Sequence, residues 1–133
     1  MIEDLERRGI NGNQYVLPNE IMTIEKFIPT PTTGITLVDT YENSAVLINN
    51  KIVVLTVGLS SDTERGSGAT WCILPAEVRP AKSLIVVVRA GIAGKAGIIA
   101  QGVIYSNGNI QVHDAALNAT PVTTVYFNAT YVL

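Results

Sequence analysis

From residue 34 to residue 133 the chain is a succession of short runs rich in Val, Ile and Thr, each closed by Gly, Pro, Asn or Ser. Side chains branched at Cβ lose rotamer freedom in a helix and pack well on a pleated sheet. The turn residues between the runs either tolerate a left-handed backbone or preset φ. This punctuation predicts strands over residues 34–41, 45–48, 52–59, 69–74, 83–90, 98–105, 109–113, 122–127 and 129–133. Asn49-Asn50 and Asn107-Gly108 are the tight hairpin turns. Residues 60–68 read as a polar loop, and 91–97 as a glycine-rich loop with Lys95 at its tip. Many short strands with turns between them predict an all-β fold, an antiparallel β-sandwich or jelly-roll-like head domain.

Residues 1–33 differ from the rest. Ile2 to Arg8 reads as a short helix stopped by Gly9, and Asn19 as the cap of a further turn reaching Ile24. Pro29 and Pro31 break any helix, and residues 30–34 read as a linker. The expected division is an N-terminal arm over 1–33, for attachment or trimer contact, and a β head over 34–133.

Two runs break the alternation that a half-wet antiparallel strand shows. Leu84-Ile85-Val86-Val87-Val88 and Ile52-Val53-Val54-Leu55 are apolar at every position. Successive side chains of a strand point to opposite faces, so both faces of these strands need cover. Charged residues make up only 15% of the chain, against about 25% in an average soluble domain. The simplest cover is a sister copy, with another sheet layer or the arm folding back as the other options. A homotrimer is the expectation.

Several function classes drop out. The net charge is −2 and Lys and Arg do not cluster, which argues against nucleic acid as a partner. No apolar run approaches the roughly 18 residues of a membrane-spanning helix. The opening MIEDLERRG lacks the character of a secretory signal. One cysteine and one histidine do not make a zinc set, and no carboxylate cluster supplies the oxygens calcium needs. Cys72, between Trp71 and Ile73, reads as a small buried hydrophobe and not as a thiol nucleophile paired with His113. No nucleophile, base and orienting group can be assembled, so the reading is non-enzymatic and without a cofactor.

Leu74-Pro75 is followed after a short gap by Arg79-Pro80-Ala81-Lys82-Ser83-Leu84, which leads into an apolar strand. Residues 103–112 then run strand, Asn107-Gly108 turn, strand, and Ala119-Thr120-Pro121-Val122 comes late. In order and spacing, over roughly residues 44–133, this resembles the C-terminal heads of phage tail fibres and receptor-binding proteins, and most the heads of lactococcal siphophage receptor-binding proteins. The resemblance implies a trimer of β-sandwich heads at the tail tip of a virion, made in the bacterial cytoplasm, that binds a bacterial surface saccharide and joins other tail or baseplate proteins through its arm. Those heads contact sugar through aromatic, His, Asp and Arg side chains near the terminal hairpins. Matched strand to strand, their histidine falls near Gln101, their tryptophan near His113, and their arginine near Val125, where this chain keeps no charge.

The residues themselves extend that list. On strand 109–113, Ile110 and Val112 share one face, while Asn109, Gln111 and His113 share the other. His113 therefore points outward beside Asp114, and an imidazole and a carboxylate supply the donors and acceptors that sugar hydroxyls need. Trp71 offers either a stacking face for a sugar ring or a large core side chain at the start of a strand. The expected saccharide contacts are His113, Asp114, Gln101, Trp71 and Gln111, with the 91–97 loop as a secondary candidate. Two other readings compete: a structural trimeric tail or baseplate domain without a sugar site, and a cellular jelly-roll lectin unrelated to phage.

Overall fold

A computed structural model describes residues 22–92 and 95–133. The strands are β1 (Ile24–Phe27), β2 (Thr30–Pro31), β3 (Ile35–Leu37), β4 (Ser44–Ile48), β5 (Ile52–Arg65), β6 (Thr70–Ile73), β7 (Leu84–Gly91), β8 (Ile98–Ile104), β9 (Asn109–Val112) and β10 (Val122–Val132). A 3-10 turn (Ala76–Val78) precedes β7, and a one-turn helix α1 (Ala116–Ala119) precedes β10. The fold is nearly all-β, as expected. The strands form one antiparallel sheet in the order β1-β4-β5-β10-β7-β8-β9-β6-β2, with β3 beside β5, and the sheet curls into a half-barrel.

Local chemistry explains the tight turns. Asn49 and Asn50 both take a left-handed backbone, with φ of 53° and 56°, which matches the twist of the β4–β5 hairpin. Gly108 sits at φ 94°, and a Cβ there would lie 2.8 Å from the Leu74 carbonyl oxygen, so only glycine fits.

The concave face holds the core. Leu55, Leu59, Trp71, Leu74, Ile104, Ile110, Leu117 and Phe127 are fully buried there, together with Val53, Val57, Val78 and Val88. Each such side chain contributes roughly 1.5–3 kcal/mol by leaving water.

Several boundaries differ from those expected, each for a long-range reason. Residues 60–65 are not a loop. They continue β5, because Ser60 and Ser61 pair with β3 and Arg65 pairs with Val122 of β10. The expected strand over 34–41 is cut to Ile35–Leu37, since the chain turns at Val38, whose carbonyl accepts the Tyr41 N–H at 3.0 Å. Strands 122–127 and 129–133 are one strand, because Asn128 keeps register opposite Thr56.

Part of the expected arm belongs to the sheet. β1 pairs with β4 through Ile24↔Ile48 and Phe27↔Ala45, and β2 pairs with β6. The linker reading fails at Thr30–Thr32 because these residues have partners far along the chain. The Thr32 hydroxyl donates to the Thr70 carbonyl at 2.8 Å, and its N–H donates to the Trp71 carbonyl at 3.1 Å. Pro31 is tolerated because β2 is an edge strand. Ile24 opens β1 instead of closing a helical turn. The expected helix from Ile2 to Arg8, and Asn19, lie outside the described residues.

The convex face carries the non-alternating strands. Ile85 and Val87 of β7 are each 71% exposed, and Ile99 of β8 is 73% exposed. Ile24, Ile48, Ile52 and Val132 form a row across β1, β4, β5 and β10 on the same face. In a single copy, these apolar side chains meet water.

Candidate functional site

The β8–β9 pair positions the polar candidates. Alternation buries Ile110 and Val112 and turns Gln111 and His113 outward, with His113 exposed. Past the end of β9, the His113 N–H donates to the Gln101 carbonyl at 2.9 Å. The Gln101 side-chain amide donates back to the His113 carbonyl at 3.3 Å, and the Gln101 N–H donates to Asp114 Oδ2 at 3.2 Å. Gln101, His113 and Asp114 therefore form one connected outer ledge.

The ledge is partly committed to structure. Asp114 Oδ1 accepts the Ala116 N–H at 3.0 Å, so both carboxylate oxygens already serve the backbone at the start of α1. Gln111 lies apart from the trio and donates to Thr70 Oγ1 at 2.8 Å. The imidazole of His113 lies over Gly68, at 4.0 Å from where a Cβ would stand.

Trp71 is not on this surface. It has no exposed area, so it offers no face for a sugar to stack on, and its indole N–H has no acceptor among the described residues. It is the core tryptophan of the two readings, because β6 turns it to the concave side with Leu74 and Ile110. Cys72 is buried too, and burial pushes its thiol up to about 12. A neutral thiol is not a nucleophile.

A second feature lies at the loop end of the β7–β8 hairpin. A cleft of about 310 Å³ is lined by Arg89, Gly91, Lys95, Gly97, Thr124 and Tyr126, among others. Its floor is glycine because the chain passes close to itself: a Cβ on Gly97 would stand 3.0 Å from Arg89 Nε and 3.1 Å from the Ala90 carbonyl oxygen. Beside it, the rings of Tyr126 and Tyr41 lie 4.7 Å apart at 31°. Tyr41 is held there by the turn before β4. Asn43, buried at φ 51°, donates to the Val38 carbonyl at 2.6 Å and accepts the Gly58 N–H at 2.8 Å.

Reading the sequence identified Lys95 and the glycine-rich loop but missed Arg89, Tyr126 and Tyr41. Outward alternation of Tyr126 and Arg89 along their strands was the available signal. Their meeting depends on the β7–β10 pairing, which sets Tyr126 opposite Arg89. No protein-family model and no curated protein matches this chain.

Proposed function

We propose that the chain is a non-catalytic receptor-binding module of a bacteriophage tail or baseplate, which assembles as a homotrimer and grips a saccharide on the bacterial surface. The observation that carries this reading is the convex face. Ile85, Val87 and Ile99 are large, apolar and mostly exposed in one copy. Contiguous apolar surface of this kind marks a site of association. Three copies packed around a common axis by these faces would cover the apolar side chains that a single copy leaves in water. The motif order from Leu74-Pro75 to Val122 supports the phage assignment, and the Gln101, His113 and Asp114 ledge supports a polar ligand.

Sedimentation equilibrium of the purified chain tests the assembly, with three times 14.2 kDa as the expected mass. A single copy at micromolar concentration removes the trimeric head. Adsorption to host cell-wall preparations tests the ligand, with weakening expected in Gln101→Ala and His113→Ala. Three weak sites on one trimer are enough for firm attachment, because linked sites gain avidity.

A second reading is favoured by the commitments of Asp114 and Gln111 to structural hydrogen bonds and by the burial of Trp71. In it, the chain is a trimeric tail or baseplate domain that docks virion proteins and has no sugar site. Trimers whose adsorption is indifferent to both substitutions support this second reading.

A further inference from the structure

Arg89 and Lys95 both line the cleft at the end of the β7–β8 hairpin, and neither is in an ion pair among the described residues, where the pairs are Lys26–Glu42 and Arg65–Asp62. Two unpaired cations on a concave wall concentrate anions. Arginine in particular presents a planar fork that matches a carboxylate or phosphate. The opposite wall is of a different kind. The Thr124 hydroxyl donates to the Gly91 carbonyl at 3.1 Å, which leaves its lone pairs to accept. Tyr126 adds a phenol hydroxyl and a ring, and that ring continues into Tyr41, which is 40% exposed.

An isolated inorganic anion has no use for an aromatic surface. A neutral sugar has no use for two cations. The combination of cations, hydroxyls and an aromatic face suits a ring bearing an acid group. We infer that the Arg89–Lys95 cleft is a binding site for an acidic saccharide, with its carboxylate or phosphate on the two cations and its ring against Tyr126 and Tyr41. The cleft volume of about 310 Å³ suits one or two sugar units. Lys95 also borders a neighbouring recess walled by Ile92, Ile98, Pro121 and Val122, which gives an acetyl or methyl substituent a place to sit.

This inference stands apart from the assembly and virion readings, since it needs only the fold of one chain. Arg89 is one register step along the hairpin from the Gln101 ledge, because Arg89 pairs with Ile99 and Val87 pairs with Gln101. It also stands directly opposite Ile99 on the convex face, so a sister copy packed there would compete with a ligand for it.

The test is a titration of the full chain, followed by amide chemical shifts, with four probes: glucuronate, glucose 1-phosphate, glucose and inorganic phosphate. Either acidic sugar is expected to shift the amides of Arg89, Gly91, Gly97 and Tyr126. Glucose is expected to bind about a hundredfold more weakly, the loss of two charge-assisted contacts. Arg89→Gln and Lys95→Gln are each expected to weaken the acidic sugar by about tenfold while leaving the remaining spectrum intact. Equal binding of glucose, equal binding of inorganic phosphate, or indifference to both substitutions overturns the proposal. Binding of glucuronate by a chain that sediments as a single copy supports it even as the trimeric head falls.

Discussion

The ring of Phe127 on β10 rests directly on the backbone of Gly102 on β8, across the intervening β7. A Cβ on Gly102 would stand 2.7 Å from Phe127 Cε2 and 2.6 Å from Val88 Cγ1. The curl of the sheet depends on this gap, since a larger residue would push the aromatic ring off the concave face. Gly102→Ala is therefore expected to destabilise the fold by about 1–3 kcal/mol, the usual cost of overpacking. A lower denaturation midpoint in urea at unchanged slope is the expected result; an unchanged midpoint would show that the ring moves aside freely.

Asn43 joins the turn before β4 to the middle of β5. Its side chain is buried and satisfies both the Val38 carbonyl and the Gly58 N–H. Asn43→Ala leaves the Gly58 N–H without its partner, at about 1–3 kcal/mol for a buried polar group, while the Val38 carbonyl keeps the Tyr41 N–H. The same change frees Tyr41 from its place beside Tyr126. Thermal unfolding checks the stability, and the near-ultraviolet tyrosine signal checks the loss of ring packing.

Tyr131 closes the far end of β10. Its hydroxyl donates to the Val78 carbonyl at 2.5 Å, which ties the last strand to the 3-10 turn. Tyr131→Phe keeps the ring and loses the bond, with an expected cost of about 1–2 kcal/mol. Equilibrium unfolding of the two proteins measures it, and equal stabilities would show that the Val78 carbonyl finds another donor.

Burial raises the thiol of Cys72 to about 12 from its ordinary value of 9.0, and it raises the Tyr131 hydroxyl as well. Both groups are held neutral in the folded chain, so their contribution is full below their unfolded values. Once pH exceeds about 9, the unfolded chain releases protons that the folded chain retains. Stability should fall with rising pH from there towards about 12, by on the order of 1 kcal/mol per pH unit for the thiol, with Tyr131 adding to the loss above its ordinary value of 10.0. Urea midpoints at pH 8, 9 and 10 check the sign, and Cys72→Ala should flatten the first part of the curve. Thiol reagents should label Cys72 only at the rate of unfolding.

The convex face gives a prediction about assembly. A glutamate in place of Val87 or Ile99 puts a charge where a sister copy would have to desolvate it. Val87→Glu and Ile99→Glu should reduce the sedimenting mass while the far-ultraviolet spectrum stays that of the parent chain. A parent chain that already sediments as one copy would remove the basis for this prediction.

How much was legible beforehand depended on how local each feature is. The Asn49-Asn50 and Asn107-Gly108 turns were readable because a left-handed backbone is a property of the residues themselves. The outward turn of His113 and Gln111 was readable because alternation on β9 has a period of two. The apolar convex face was readable for the same reason, as two strands that do not alternate. By contrast, Ser60–Arg65 looks polar and loop-like until β3 and β10 are beside it. Trp71 had two consistent readings, and only the direction in which β6 faces selected the core.

The sequence by itself determined the class of the fold, its hairpins and which side of most strands is apolar, because backbone preference and side-chain period act over a few residues. Only the tertiary structure decided that one curled sheet carries the core. It alone brought Arg89, Lys95 and Tyr126 to one cleft beside Tyr41 and drew Ile24–Phe27 and Thr30–Pro31 into the sheet. Strand pairing is a contest among many possible partners far apart in the chain, and burial of the whole concave face settles it, so no short stretch of sequence contains the answer.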